Sequence, residues 1–540
     1  MDSRSEEKVV ARRSRYVVEG GHDYDCGGSP QQRQRRDISG PRSKTPMTDL
    51  SVIAGSRRLR RGGVIGGSTS GEAAVNGGKC GGVHQRWLKE TKIETQKKFV
   101  LFSPFCNKFE RNKRRVVSCP EEDRISKLPE QLIDSILELL PIEDSVRTSI
   151  ISESWRYRWT TMGALVFDKH FSNKFANNGA FGRNGFIRII NQVLFLHKGP
   201  ILKFHLHIPN ISLDSFQEVD QWMSFLSRNG VTELLLTNLN QRYELPSYVF
   251  SCLELTKLKL VNCFFKTPLK FEGCLNLEEL CLQDVDFGTS LCGNKINLPQ
   301  LKKLILLTCK NVYNFNIKAT KLCVLTIVAC RDTILLRLLD SSCLFVAGLA
   351  LRKPIQDFVR GEKINLATML SKLPRVEYLF IDNYFLKSLV AEKIPKFLPR
   401  AISSLKRLWL FDYQLGDMDQ LHVALCFLRN SLNLEKLSVT HSEMESRVDV
   451  GPASNHLESP NCLDCMLTRL QTVKIECLQG SKPELLFIKL LLAHSPSLQN
   501  FTITPSENTD AQKRFDIAKD VMQFRRASPK AKMIYLNPET

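Results

Sequence analysis

Three short patterns in this 540-residue sequence bring together residue types that can do chemistry. Cys462 and Cys465 have the spacing of a zinc-binding cysteine pair, which we interpret as coincidence because no second pair completes a four-ligand site. His205 and His207 alternate as two ligands on one strand face would, and without a third ligand a solvated strand face is favoured. The glycine-rich run 62–69 imitates a phosphate-binding loop but lacks its lysine and a preceding strand, so it is interpreted as a linker. We therefore expect no metal and no cofactor.

The motifs of common catalytic sites are missing from the sequence. It contains no GxSxG nucleophile elbow, no HExxH zinc motif and no complete phosphate loop. Its 17 cysteines are scattered without paired spacing, which is typical of reduced thiols rather than of a disulfide scaffold. No apolar run is long enough to cross a membrane, and the first twenty residues are charged where a signal peptide would be apolar. We expect a soluble, intracellular protein that is not an enzyme.

Residues 1–118 form a basic, glycine-rich tract. The first 120 residues hold 25 Lys and Arg against 12 Asp and Glu, a net +13 of the chain's +20, and 15 of its 29 glycines. This composition predicts disorder. The basic runs 57–61 and 111–115 are candidate nuclear-import signals or nucleic-acid contacts, although such runs are more often solvated tail. We expect a location in the nucleus, the cytoplasm or both, with no membrane partner.

Three short helices are predicted between residues 123 and 160. In the first of them, apolar residues recur at helical spacing, namely Leu132, Ile133, Ile136, Leu139 and Leu140. Pro129 suits the first turn of this helix, and Pro141 ends it. A second helix is expected over 146–151, and Ser152 can cap a third that places Trp155 and Trp159 on one face. Because so small a module cannot bury all its apolar surface, we expect it to need a partner.

These residues resemble the F-box in its plant form, over residues 119–165. The matching positions are Leu128, Pro129, Ile136, Leu139, Leu140, Pro141, Val146, Thr148, Ser149, Ser152, Trp155, Arg156 and Trp159. Glu153 and Ser154 depart from the pattern, since relatives usually carry two basic residues there. The resemblance implies docking to a Skp-type adaptor. The apolar helix predicts the adaptor-facing residues, which are Leu128, Pro129, Leu132, Ile133, Ile136 and Leu140. Trp155 and Trp159 are expected to hold the module together.

A different period begins near residue 231, where Leu-x-x-Leu-x-Leu and close variants recur. The first five units have their middle leucines 24, 22, 24 and 21 residues apart, at Leu234, Leu258, Leu280, Leu304 and Leu325. Later units are spaced more widely, which predicts irregular repeats or insertions. Each unit is short enough for one strand, so we predict an irregular leucine-rich-repeat solenoid over residues 166–455. Cys263, Cys309 and Cys330 occupy the Asn/Cys position of their repeats, where a buried thiol packs as a small apolar group.

Residues 456–535 resemble the FBD domain that follows leucine-rich repeats in many plant F-box proteins. The resemblance rests on the segments 460–463, 470–475, 484–492, 498–503 and 524–529. The expected fold class is therefore α/β, with an N-terminal three-helix F-box, an irregular leucine-rich-repeat solenoid and a C-terminal FBD domain.

Alternation within the repeat strands predicts a face for binding a target protein. The leucines enter the core, so the residues between them face the other side of the strand. In two later units this rule exposes Tyr378, Phe380, Asp382, Arg407, Trp409 and Phe411. Four aromatic rings and an arginine resemble an interface anchor set. The alternative, that these rings are ordinary core, is equally consistent with the sequence.

The two resemblances imply the substrate-recognition subunit of an SCF-type cullin-RING ubiquitin ligase. In that family the F-box binds the Skp-type adaptor and through it the cullin, while the repeats hold a target protein for ubiquitination by other subunits. Two alternatives stay open. One is a nucleic-acid-associated protein that uses its basic N-terminal arm, which is less favoured. The other is a leucine-rich-repeat scaffold without a ligase role, suggested by Glu153 and Ser154.

Overall fold

The computed structural model describes only part of the chain. The described residues are 125, 127–176, 179–211, 213, 215–266, 268, 271, 273–288, 296–312, 317–330, 343–351, 369–370, 372–389, 402–442 and 449–538. The basic tract 1–118, for which the sequence predicts disorder, lies outside them. No helix in these ranges has the length and the apolar run that crossing a membrane requires.

Parallel strands dominate the described residues, and fourteen of them form one sheet that follows chain order. They are β1 (Ala164–Phe167), β2 (Lys203–Ile208), β3 (Glu233–Asn238), β5 (Lys257–Val261), β7 (Glu279–Gln283), β9 (Lys303–Leu307), β11 (Val324–Val328), β12 (Val346–Ala350), β13 (Tyr378–Asp382), β14 (Arg407–Tyr413), β15 (Lys436–His441), β16 (Thr472–Leu478), β17 (Asn500–Pro505) and β18 (Lys532–Tyr535). Two short pairs stand apart, β4 (Tyr243–Glu244) with β6 (Cys263–Phe264) and β8 (Ile296–Asn297) with β10 (Ile317–Lys318).

Helices precede the sheet and connect several of its strands. The α-helices are α1 (Glu130–Leu139), α2 (Ile142–Arg147), α3 (Lys169–Asn173), α4 (Gly179–Leu196), α5 (Gln217–Arg228), α6 (Asn383–Leu389), α7 (Met418–Asn430), α8 (Gly451–Glu458), α9 (Lys482–His494) and α10 (Ala511–Gln523). Short 3-10 helices occupy Thr148–Ile150, Arg158–Thr161 and Ser247–Ser251. The longer spacing of the later repeats predicted insertions. The structure has α6 between β13 and β14 and α7 between β14 and β15.

The spacing of the leucines accounts for the register of the strands and for the buried side of the sheet. The middle leucines of successive repeats lie opposite one another in the strand register, from Leu234 through Leu258 and Leu280 to Leu304, and all are buried. They form one side of the sheet, and the helices and turns that join the strands pack against it as a continuous apolar core. The predicted solenoid of one strand per repeat is therefore confirmed.

Three of the early repeats turn sharply just after their strands. Asn262, Asp284 and Thr308 have positive φ values of 57°, 52° and 53°, a conformation that asparagine and aspartate tolerate better than most side chains. The cysteine that follows Thr308, Cys309, is buried, and its thiol lies 3.3 Å from the carbonyl oxygen of Leu282. Burial raises the pKa of the equivalent Cys263 thiol to about 12. These thiols are core groups, as the repeat pattern predicted.

The N-terminal helical module shares the core of the sheet. Ile133 and Leu137 of α1 belong to the same apolar cluster as the leucines of the strands. The backbone N–H of Lys198 donates to the carbonyl oxygen of Thr160 at 2.8 Å. At Gly199 the backbones approach so closely that an added Cβ would lie 3.2 Å from the carbonyl oxygen of Thr161. The module is therefore fixed to the first strands of the sheet.

The first predicted helix is found as α1, but the other two differ from the prediction. The second begins earlier, at Ile142, and ends in a 3-10 turn. The third is a series of turns followed by the 3-10 helix Arg158–Thr161. Tyr157 has a φ of 60°, which a right-handed helix cannot include, so the chain turns between the two tryptophans.

Candidate functional sites on the helical module and on the open face of the sheet

Helix α1 has two apolar sides with different environments. Ile133 and Leu137 face the core and are buried, with Ile133 only 2% exposed. Leu132 and Leu139 lie on an adjacent side of the helix and are 51% and 62% exposed, with Ile136 half-buried between them. These three residues are spaced at i, i+4 and i+7, so they form one stripe along the helix. The stripe is an apolar surface that the module leaves open to a partner.

Five of the six predicted adaptor-facing residues keep some exposure. Pro129 and Leu132 are exposed, and Leu128, Ile136 and Leu140 are half-buried. Ile133 is the exception, because it packs into the core and cannot contact a partner. The assignment of Ile133 to the docking surface is therefore wrong.

The module has further exposed apolar residues that were missed in the sequence. They are Ile125, Leu139, Ile150, Ile151 and Tyr157, of which Ile150 is 89% exposed. Leu139 belongs to the helical pattern of apolar residues in α1. Because that pattern places apolar residues on two sides of the helix, it does not show which side the core covers. The others lie in turns or, for Ile150, in a short 3-10 helix, where no period marks an apolar face. We call Leu132, Ile136, Leu139, Ile150 and Ile151 the docking stripe.

Buried tryptophans and an arginine hold the module in shape. Trp155 and Trp159 are both buried, and the Trp155 Nε1–H donates to the carbonyl oxygen of Ile125 at 3.1 Å. The Arg158 guanidinium reaches back to α1, with contacts of 2.8 Å to Asp134 and 3.0 Å to Glu130. The hydrogen bonds that the guanidinium donates to these two carboxylates raise the pKa of Arg158, so it stays charged. The turn after α2 is thus tied to the helix that carries most of the docking stripe.

The second candidate site is the side of the sheet opposite the leucine core, which we call the open face. The first residues of successive strands lie side by side on this face and form what we call its outer row. Across the early strands this row alternates in charge, through Lys203, Glu233, Lys257, Glu279 and Lys303. The carboxylate of Glu233 lies 3.7 Å from the Lys203 ammonium and 3.1 Å from that of Lys257. Glu279 lies 4.0 Å from Lys257 and 3.9 Å from Lys303. Each charged group in this half of the row therefore has an oppositely charged neighbour within 4.0 Å.

The structure divides the predicted target-binding residues of β13 and β14 into two groups. Tyr378, Arg407 and Trp409 are half-buried and remain accessible, with the Arg407 guanidinium 4.7 Å from the centre of the Tyr378 ring. Phe380 and Phe411 are buried in a small apolar cluster on the open face. The expectation that these two rings are exposed is therefore wrong, and the core alternative describes them correctly. Strand alternation places a residue on a face but does not show what packs against it.

Asp382 is also buried, and its carboxylate has a structural role. One oxygen accepts the backbone N–H of Phe385 at 2.8 Å, which caps the start of α6, and the other accepts that of Leu351 at 3.0 Å. The residue is 0% exposed. Its predicted place on an exposed target-binding face is therefore wrong.

The histidine and cysteine pairs do not assemble a metal site in the described part of the chain, where no group of three potential ligands comes together. His205 is half-buried and His207 is buried, so the interpretation of a solvated strand face is wrong for His207. Cys462 is buried and Cys465 half-buried, and burial raises the pKa of both thiols. Both pairs are parts of the packed structure.

Acidification is expected to destabilise the fold through His205. Burial lowers the pKa of His205 to about 4, and the positive charge of Lys259 acts in the same direction. The unfolded chain, with a histidine pKa near 6.5, therefore binds more protons than the folded chain between these two values. The contribution of neutral His205 to stability is present above pH 6.5 and is lost as the pH falls toward 4.

The measurement is a thermal denaturation series from neutral to mildly acidic pH. The midpoint should fall with pH, and His205→Gln should make that fall shallower. It should not abolish it, because burial also lowers the pKa of His207, His441 and His456. An unchanged pH dependence in His205→Gln would contradict the prediction.

Two family profiles match separate parts of the chain. The sequence profile of the F-box domain matches residues 125–165, and that of FBD matches residues 461–503. The chain is 31% identical over 418 residues to the F-box/FBD/LRR-repeat protein At1g13570 of Arabidopsis thaliana, which covers 77% of this chain and 98% of the relative. It is 33% identical over 217 residues to the F-box/FBD/LRR-repeat protein At2g04230 of the same plant, covering 38% of this chain and 47% of that protein.

A third relative is more distant but matches over its full length. The probable FBD-associated F-box protein At1g32375 of Arabidopsis thaliana is 23% identical over 449 residues, which cover 76% of this chain and 100% of the relative. Together these matches confirm the resemblances to the F-box, the leucine-rich repeat and the FBD domain that the sequence motifs predicted.

Proposed function

The chain belongs to the F-box/FBD/LRR-repeat protein family, and from this we propose that it is the substrate-recognition subunit of an SCF-type cullin-RING ubiquitin ligase. F-box proteins are in general non-catalytic adaptor subunits. In this proposal the F-box docks the Skp-type adaptor, the adaptor links it to the cullin, and the repeat sheet holds a target protein for ubiquitination.

The exposed docking stripe is the observation that carries the proposal. Leu132, Leu139 and Ile150 leave much of their apolar surface in water although buried neighbours on the same segments show that the module is folded. Exposed apolar surface of this kind is typical of a protein interface. A Skp-type adaptor that covers the stripe would remove this surface from water and gain the corresponding hydrophobic free energy.

The connection between the module and the sheet supports the same role. A ligase receptor acts by proximity, since it raises the effective concentration of target lysines near the ubiquitin-conjugating subunit without reacting itself. A core that runs without interruption from α1 into the strands holds the docking stripe and the open face in a defined relation. The receptor needs no catalytic residue for this task.

Reconstitution from purified components tests the proposal. The full chain, a Skp-type adaptor and a cullin should elute together in size-exclusion chromatography, and the chain should not elute with the cullin when the adaptor is omitted. In plant cells, affinity purification should recover the adaptor with or without a proteasome inhibitor and should enrich the target when the inhibitor is present. A chain that never elutes with the adaptor would instead support a leucine-rich-repeat scaffold without a ligase role.

The excess of positive charge in residues 1–120 favours a second candidate function, binding of nucleic acid through the N-terminal arm. A chain that begins at Ser118 separates the two functions. It should bind the adaptor as tightly as the full chain, because the docking stripe lies entirely after that residue. Nucleic-acid binding by the arm should be weakened by salt and lost in the shortened chain. Localisation to the nucleus, the cytoplasm or both is proposed on the same basis and is tested by imaging both chains.

A further inference from the structure

The outer row of the open face changes its charge pattern along the sheet. Its early half alternates lysine with glutamate and is ion-paired, as described above. The middle of the row is apolar or aromatic, with Val324, Val346 and Tyr378 in register. The late half continues in register through Arg407, Lys436, Thr472, Asn500 and Lys532. This last stretch contains three cations and no carboxylate.

The cations of the late half are not neutralised by neighbours. Within the described residues Arg407, Lys436 and Lys532 make no ion pair, and Lys436 and Lys532 are exposed. Two carboxylates occur on the open face of β13–β18, those of Asp382 and Glu476, and both are buried. Asp382 accepts backbone N–H groups, as described above, and Glu476 lies 2.7 Å from the Lys474 ammonium. Neither carboxylate is directed at the row.

Two aromatic side chains border these cations in fixed orientations. Arg407 lies over the Tyr378 ring at 4.7 Å, so the ring supports one face of the guanidinium while its edge N–H donors stay available. The Trp409 indole N–H donates to the Thr440 hydroxyl at 3.3 Å, and that hydroxyl donates to the Glu476 carboxylate at 3.1 Å. Since both groups are already ordered, a ligand loses little side-chain entropy when it binds them.

We propose that the cations of the late half, Arg407, Lys436 and Lys532, dock an acidic peptide segment of the target protein together with the neighbouring aromatic side chains Tyr378 and Trp409. These five residues are here called the basic row. The inference rests on the proposed function and specifies the chemistry of the target. Arg407 would hold an aspartate or glutamate carboxylate through two parallel N–H donors, and Lys436 and Lys532 would pair with further carboxylates. Thr472 and Asn500 lie between them and offer polar groups to the peptide backbone.

The length of the basic row determines how long an acidic peptide segment it can hold. Arg407 lies on β14 and Lys532 on β18, four strand spacings away. At about 4.8 Å per spacing, the row spans about 19 Å, which corresponds to about six extended residues. Acidic side chains at the two ends of such a segment would meet Arg407 and Lys532, and one about a quarter of the way along it would meet Lys436.

Fluorescence anisotropy of the full chain with labelled peptides tests the inference. The probe is a fluorescein-labelled peptide rich in aspartate and glutamate, compared with its asparagine and glutamine counterpart. The double variant Arg407→Glu with Lys436→Glu should weaken binding of the acidic peptide by about tenfold or more and leave the melting temperature unchanged. The neutral counterpart should bind weakly to every form of the chain.

A matched control separates the basic row from net charge. Lys310→Glu with Lys321→Glu changes the total charge equally at exposed positions outside the row, and should retain the affinity of the natural chain. Equal losses in both double variants would overturn the inference, because they would show attraction to the positive chain as a whole. The inference would also be overturned if the Arg407→Glu, Lys436→Glu variant lost binding of a single-stranded oligonucleotide but still bound the acidic peptide.

The proposed function is measured separately in the same proteins. The Arg407→Glu, Lys436→Glu variant should bind the Skp-type adaptor as the natural chain does, since the docking stripe is elsewhere. Loss of peptide binding with normal adaptor binding therefore supports the basic row. Failure of the natural chain to bind adaptor would contradict the proposed ligase role, whatever the peptide result.

Discussion

Leu132→Asp combined with Leu139→Asp is expected to lower the affinity for the Skp-type adaptor by at least about a hundredfold. Both leucines lie on the solvent side of α1, where they are more than half exposed. Aspartate there removes apolar contact area and places a charge in the interface, which would have to be desolvated without a partner. Because both positions face water in the unbound chain, the free energy of unfolding should change by no more than about 0.5 kcal/mol each.

The measurement is isothermal titration calorimetry with purified adaptor, accompanied by thermal denaturation. Gln131→Asp is the control for the added charge, since this exposed polar position of the same helix does not stand at i+3 or i+4 from Leu132 or Leu139. This control should keep nearly the full affinity. Ile133→Ala provides a contrast, because it should destabilise the module by emptying a buried site rather than remove a contact with the partner. Normal adaptor binding by the Leu132, Leu139 variant would show that the docking stripe is not the interface.

Asp382→Ala is expected to cost about 2 to 5 kcal/mol of folding free energy. The carboxylate is fully buried and accepts two backbone N–H groups, those of Leu351 and Phe385. Alanine would remove the acceptor of both buried hydrogen bonds and with it the cap of α6. The effect is therefore expected in stability and not in a specific contact with a target.

Chemical denaturation with urea measures this change. Asp382→Asn is the control, because asparagine has nearly the same size as aspartate and keeps one acceptor oxygen. It should therefore be less destabilising than Asp382→Ala. Ser438→Ala on the open face of β15 is a second control at a half-buried position and should change stability little. An Asp382→Ala chain that unfolds at the same urea concentration as the natural chain would contradict the structural role.

Much of the architecture could be predicted from local patterns. The limits of α1 follow from Pro129, Pro141 and the helical period between them, and the strands of the early repeats follow from Leu-x-x-Leu-x-Leu units of constant spacing. The buried cysteines after these strands follow from the same repeat. These features depend on backbone conformation and side-chain period within a few residues, which is information that a short stretch of sequence carries.

The candidate sites could be predicted only in part. The sequence marked both sides of α1 as apolar, but Ile133 faces the core and Leu139 faces water. The reason is that apolar residues cover more of the helix than one stripe, so the covered side depends on where the sheet lies. Likewise, the alternation in β13 put Phe380 and Tyr378 on one face, although the structure buries the first and leaves the second accessible.

By itself the sequence determined that this chain has a helical module with an unsatisfied apolar face, a series of leucine-rich strands, and no local catalytic motif. Only the tertiary structure decided which of those apolar residues remain exposed, and it alone brought Arg407, Lys436 and Lys532 into one row. The physical reason is register. Residues far apart in sequence become neighbours only when parallel strands pair leucine to leucine, and a shift of one residue would turn the whole row toward the core.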